Sequence, residues 1–395
     1  YPPMSNDFER NDIRYLRFVR AGYERDPLAS GSNDFDEYQS YRMVYQKTSI
    51  MLRQLEQMLG REVMTRVMRT YFERFCFQHP YPEDFRRVAE QVSGRQLGEY
   101  FDAWLERGWQ IDYGVRRVEN ERRREGYVAT IDLERRGQMP MPLDLRLDLE
   151  GGGTQWVLVP GREGVLKRPE GWFIAEPWRG WLDVRPRHRL EVAVPRRVKR
   201  VTIDPDCRMA DVDRLNNRSA PPQVRLHLDN LSVYTPSLDA LDYWARPTLR
   251  WNGVDGPKLG ARIFGGYLLT EFTRQHHLEA TVRFGFRSEH VEWSASCEEP
   301  VPALGPLTHA FARAEETDGR LLREFGIDAV RRAKLYLPPV HHLRLLWRES
   351  ASVDRDYLPR GFEWSRGRTG SIVADYRSDW RARGRVGWNA IGVEA

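Results

Sequence analysis

The hydrophobic period of this chain changes once, and that change restricts the fold more than any other feature. Up to about residue 110, apolar residues recur at steps of three and four; from Tyr113 onward they recur at every second position. A helix spaced at 3.6 and a strand spaced at 2 bury different stripes, so one core cannot serve both halves in the same way. The 395-residue length allows two or three such cores. With 41% hydrophobic and 12% aromatic residues the composition is that of folded domains, and the fold class expected is multidomain α + β.

The helical part is expected over residues 1–110, as an antiparallel helical bundle. Asn33 or Asp34 can cap a helix along which Phe35, Tyr38, Tyr41, Tyr45, Leu52, Leu55 and Leu59 recur, and Gly60 ends it. A second helix carries Val63, Val67, Tyr71 and Phe75 and is interrupted at His79-Pro80. Pro82-Glu83-Asp84 opens a third that closes at Ser93-Gly94, and a fourth runs from Leu97 through Phe101 and Trp104. The short connections imply antiparallel neighbours.

Residues 111–206 read as a small β-sandwich. In residues 143–149, LDLRLDL, every second side chain is apolar, which buries one face and wets the other. Similar runs occupy residues 127–133, 156–159, 190–194 and 198–203, separated by glycine, proline and charge. A polar, turn-rich stretch with Asn216-Asn217 and Pro221-Pro222 suggests a linker over 207–230. Over 231–395 alternation returns as an antiparallel β meander. Leu278, Ala280, Val282, Phe284 and Phe286 share one face while Glu279, Thr281, Arg283 and Arg287 share the other; Val291, Trp293 and Ala295 begin a partner strand. Further runs lie near 343–347, 362–364 and 372–393. Two readings stay open for this region: a soluble β domain, or strands of an outer-membrane-type barrel with apolar residues toward lipid, polar ones toward a lumen and aromatics near the strand ends.

Several chemistries lack their motifs. The 62 Lys and Arg against 57 Asp and Glu leave a small, dispersed excess and no nucleic-acid recognition motif, so no nucleic-acid partner is expected. Cys76, Cys207 and Cys297 are odd in number and far apart, which defines neither a disulfide framework nor a zinc ribbon. No His-Glu-x-x-His is present, and the adjacent pairs His276-His277 and His341-His342 cannot converge on one metal, so no metal is expected to be bound by this chain. Gly151-Gly152-Gly153 has no helix after it and reads as a turn rather than a phosphate cradle. A chain that starts at Tyr1 and stops at Ala395 inside a strand-like pattern is expected to be a piece of a longer protein.

Residues 41–60, YRMVYQKTSIMLRQLEQMLG, and 71–115, YFERFCFQHPYPEDFRRVAEQVSGRQLGEYFDAWLERGWQIDYGV, carry a resemblance. Their order of aromatic helix, His-Pro break, Pro-x-Asp-Phe start, Ser-Gly cap and Phe-x-x-Trp helix is similar to the segment of gluzincin zinc aminopeptidases that follows the zinc ligands. The resemblance implies that Tyr45 is the catalytic tyrosine, its hydroxyl donating to the oxyanion formed as water adds to a scissile carbonyl. From the residues alone, Tyr45 would be a core aromatic. It further implies zinc in the full-length protein, held upstream of this chain, and peptide substrates cleaved at their N-terminal bond. One departure is Thr48, where the family keeps glycine; Lys47 reads as a structural or solvated charge. The alternative function is a non-catalytic bacterial envelope protein carrying a degenerate peptidase scaffold. Under either reading the expected location is the bacterial cell envelope, periplasm or outer membrane, with membrane association through the C-terminal β region.

Overall fold

A computed structural model of the chain describes residues 12–17, 19, 38–106, 109–160, 168–178, 185–228, 236–268, 276–305, 307–332, 340–352, 354, 356–357, 367–382 and 385–394. Two compact units emerge: Tyr1–Leu16 with Glu24–Pro222, and Arg17–Tyr23 with Gln223–Ala395. Strands predominate among the described residues, and helices are few. The expected cap at Asn33 or Asp34, Phe35 and the run near 362–364 lie outside the described residues.

After a helical stretch at residues 12–17, the first unit has the helices α1 (Tyr38–Leu59), α2 (Arg61–Phe75), α3 (Pro82–Ser93) and α4 (Gly98–Leu105). Their punctuation follows local chemistry. Gly60 leaves α1 at a φ of 84°, a backbone state that disfavours any side chain. Asp84 accepts from the Tyr81 N–H at 2.8 Å and so satisfies a donor at the start of α3, where Pro82 has no N–H to lose. The buried stripe of α1 is Lys47, Ile50, Met51, Gln54, Leu55, Met58 and Leu59. This corrects the expected stripe: Leu55 and Leu59 are on it, whereas Tyr45 is exposed and Leu52 only half-buried. Three short bonds tie α1 to its surroundings. Tyr100 donates to the Met51 carbonyl at 2.5 Å, Arg95 to the Met58 carbonyl at 2.8 Å, and Gln54 to the Arg208 carbonyl at 2.6 Å.

Two small sheets follow in the same unit. One has three strands in the order β1 (Tyr113–Arg123), β2 (Gly126–Arg135), β6 (Arg187–Val194). The other has the order β5 (Phe173–Ile174), β4 (Thr154–Val159), β3 (Leu143–Leu149), β7 (Val198–Ile203). The sequence alternation maps directly onto burial. Leu143, Leu145 and Leu147 are buried while Asp144, Arg146 and Asp148 between them are not, and β2 repeats the pattern through Ala129, Ile131 and Leu133. Three consecutive glycines with positive φ make the turn between β3 and β4, as the sequence implied.

Residues 207–217, read from the sequence as part of a linker, are instead packed into this unit. Met209, Ala210, Asp211, Arg214, Leu215 and Asn217 are buried. Arg214 makes a buried pair with Asp204 at 3.0 Å and also donates to the carbonyls of Met209 and Asp204, while Asp204 accepts from the N–H groups of Arg208 and Met209. Every hydrogen bond named here has both partners inside the unit, so polarity did not mean solvation. Removing one member of such a pair leaves a bare charge in the interior. Arg214→Met is therefore expected to cost about 3–5 kcal/mol in urea unfolding; a loss below about 1 kcal/mol would show that water reaches Asp204.

Asp211 adds a pH dependence. Burial pushes its carboxyl well above the ordinary carboxylate range, and the nearby Asp112 adds to the effect, against Arg214 and the N–H groups of Asp213 and Tyr113. The folded state then holds a proton that the unfolded chain releases at its lower value. Stability from this group is intact below the ordinary carboxylate value and declines as pH rises toward the folded one. Asp211→Asn should therefore compare more favourably with the parent at pH 8 than at pH 4 in paired unfolding curves. A deficit that widens with pH would mean that Asp211 is already ionised in the folded protein.

The second unit is one ten-stranded sheet. Nine strands form a strict antiparallel meander: β9 (Ala240–Asn252), β10 (Gly256–Gly266), β11 (His277–Gly285), β12 (Val291–Pro300), β13 (Thr308–Thr317), β14 (Arg320–Arg332), β15 (Val340–Ser352), β16 (Arg368–Ala382) and β17 (Arg385–Glu394). An additional strand, β8 (Gln223–Leu228), pairs parallel to β9 at one edge. The sheet is open: β8 and β17 do not pair with each other, so the described residues form no closed barrel.

Register sorts the side chains of this sheet into two unlike faces. Leu249 lies opposite Leu259, which lies opposite Phe284; Val282 faces Trp293, Ala295 faces Ala314, and Phe325 faces Trp347, which faces Ile372. One residue out of step, Arg250 is opposite Lys258, Arg283 is opposite Glu292, and Glu324 is opposite Arg348. The charged face is the enclosed one. Lys258, Glu292, Asp242 and Glu324 are buried, whereas Leu249, Phe284, Leu345 and Ile372 are exposed.

Candidate functional site

Two places gather side chains that could do chemistry, one in each unit. In the first, α1 carries Tyr45 and Lys47 on opposite sides. Residues 45, 48, 49 and 52 run along the face turned away from the Ile50–Leu55–Met58 stripe, which is why Tyr45 points outward with 68% of its surface accessible. The core-aromatic reading of Tyr45 is thereby excluded. A phenol on the exposed face of a helix is placed where a group brought to that face can meet it.

Lys47 is fully buried, with its ammonium 6.0 Å from the centre of the buried Trp104 ring. Of the two roles the sequence allowed, the solvated one is removed. An ammonium near an indole face is attracted by the ring quadrupole, so the pair joins α1 to α4 beneath the Tyr45 surface. Thr48 is half-buried on the next position. Around these helices Tyr71 packs edge-on to Phe85 at 5.0 Å, and Phe85 continues to Phe101. Met68, Phe72, Phe77 and Tyr81 are left exposed on α2 and the turn after it.

The second gathering went unnoticed in the sequence. Lys258 on β10 is 1% exposed and is surrounded by Asp255 at 2.7 Å, Glu292 at 2.5 Å and Asp318 at 2.8 Å. Arg283 donates to Glu292, Arg250 to Asp318, and Asn252, Ser288 and Tyr357 all donate to Asp255. Asp255, Glu292 and Asp318 are the only three-membered set of potential metal ligands among the described residues. They do not fit a catalytic zinc: all three are hard oxygen donors, no imidazole joins them, and an ammonium already sits between them. The sequence signal available was Asp255-x-x-Lys258 across a hairpin turn, with Glu292 on the charged face of the alternation.

His341 and His342 diverge, as neighbours on a strand must, and His276 lies just before β11. His341 contacts the Tyr376 hydroxyl at 2.7 Å, while His342 reaches Asp379 at 3.1 Å; His276 pairs with Glu299 at 2.6 Å. Cys76, Cys207 and Cys297 are free thiols.

Residues 25–104 match the model of the Peptidase family M1 domain, a match consistent with a gluzincin aminopeptidase-like family. No curated protein matches the chain.

Proposed function

We propose that this Peptidase family M1 stretch is the helical C-terminal half of a zinc aminopeptidase catalytic domain, with Tyr45 as its oxyanion donor. The observation that carries the reading is the exposed side chain of Tyr45 on a helix within the matched residues. The M1 family is typically zinc-dependent, with zinc-activated water as the attacking group. In the proposed reaction, water adds to the carbonyl of the first peptide bond of the substrate. The carbonyl oxygen becomes negatively charged, and the phenol O–H stabilises it more than it stabilises the planar substrate.

The exposed Met68, Phe72, Phe77 and Tyr81 fit the same reading, because large apolar side chains left open mark a surface that another part of a protein covers. The two sheets of residues 111–206 are read as the β-sandwich that follows the helices in this family, closing one side of the peptidase. The substrates are peptides, and the location is the bacterial cell envelope. The alternative, a degenerate scaffold without catalysis, is distinguished by the full-length protein: it would bind no zinc and cleave no aminoacyl reporter. For this chain alone the expected result is neither turnover nor stoichiometric zinc, read by atomic absorption and a fluorogenic aminopeptide assay. Turnover by this chain would overturn the reading.

A further inference from the structure

We infer that the apolar face of the β9–β17 meander takes the hydrocarbon of a lipid bilayer, with the charged face turned toward water. This holds or fails independently of the peptidase reading, which concerns the other unit.

The burial of the sheet is inverted relative to a water-soluble one. A sheet in water encloses its apolar side chains and wets its charges, because burying charge is costly and burying hydrocarbon is favourable. Here Lys258 and Glu292 are enclosed, each in an ion-paired network, while Leu345 is 52% and Ile372 58% exposed. Such an arrangement is stable when the medium outside is itself hydrocarbon.

Charge is segregated by depth as well as by face. Within each strand the middle of the apolar face, as at Ala261, Val282, Ile327 or Leu345, carries no charge. Charges return to that face only toward the strand ends, as at Glu316, Arg323 and Glu349 on one side and Glu299 on the other. Aromatic residues mark the same transition: Trp251, Phe284 and Trp293 toward one end, Tyr243 and Trp380 toward the other, where amphipathic rings suit a membrane interface. The strand lengths agree. β9–β17 run from 9 to 15 residues, against about 9–11 needed to cross a bilayer at a tilt and about 5–6 for an average soluble strand. No helix among the described residues is long and apolar enough to cross, which leaves the strands.

A protein partner fits these observations less well. A docking patch is local, whereas this band continues across nine strands and is bounded by charge only along the strand axis. Hydrocarbon cannot satisfy the free N–H and C=O groups at the edges of β8 and β17, so in the membrane both edges must be paired.

The experiment uses the 395-residue chain added from urea to phosphatidylcholine vesicles, half of them made with brominated acyl chains. The chain is expected to float with the vesicles through an alkaline wash, and bromolipid is expected to quench its tryptophan fluorescence. The triple variant Trp251→Phe, Trp293→Phe, Trp347→Phe should lose most of that quenching. Ile327→Arg together with Leu345→Arg should lower the floated fraction by more than about tenfold, while Ser294→Arg on the charged face leaves it unchanged. A chain that stays in the dense fraction as a soluble monomer or dimer overturns the inference, as does one that floats without quenching or floats equally well with both arginines.

Discussion

On the proposed aminopeptidase reading, Tyr45→Phe in the full-length protein is expected to lower kcat for aminoacyl reporters by roughly 10²-fold or more, the range seen when one oxyanion donor is removed. KM should move little, because the donated hydrogen bond is made mainly in the transition state; kcat and kcat/KM should therefore fall together. Two readouts separate this from damage to the fold. Zinc content should be unchanged, and stability should shift by no more than about 0.5 kcal/mol, since the side chain lies outside the α1 stripe and is largely exposed. An unaltered rate would remove Tyr45 from the reaction.

Lys258→Met should have the largest effect on the second unit. The ammonium holds three carboxylates within hydrogen-bonding distance of a single point, and methionine would leave them facing one another. Removing one partner of a buried ionic network costs about 3–5 kcal/mol, and the partly exposed Asp318 places this case toward the lower end. Unfolding by urea in detergent micelles measures it. Adding Glu292→Gln should recover part of the loss, since it removes one of the two enclosed repelling charges while still accepting from Arg283. A cost under about 1 kcal/mol, with no rescue by the second change, would show that water or a counter-ion takes the place of the ammonium.

Local rules made much of this architecture readable. Gly60, Pro82 and Gly94 mark the helix boundaries because each acts on its own backbone, and LDLRLDL specifies a strand because its alternation has a single period. The same rules do not say which side of an amphipathic element is enclosed. On α1 the apolar count favoured the tyrosines, yet Lys47 and Gln54 are inside, held by Trp104 and by the Arg208 carbonyl from a segment more than a hundred residues away. On β10 and β12, alternation predicts two unlike faces with equal force whether the charges end up outside or in. The Lys258 cluster escaped for a related reason. Its members come from three different turns and strands, and only register brings them together.

Strand order also has a consequence for how the two units form during synthesis. In the meander, each of β9 to β17 pairs only with its immediate predecessor and successor in the chain, so every hairpin can zip onto the last one as it appears. The first unit has that freedom only in its β1–β2 and β3–β4 hairpins. Its β3 must wait for β7 and its β2 for β6, some fifty or more residues later, and the Asp204–Arg214 lock comes later still. Contacts that close long loops form slowly. The ribosome therefore delivers a stretch of helices and separate hairpins whose core is completed only when residues near 217 emerge, just before the meander begins to grow.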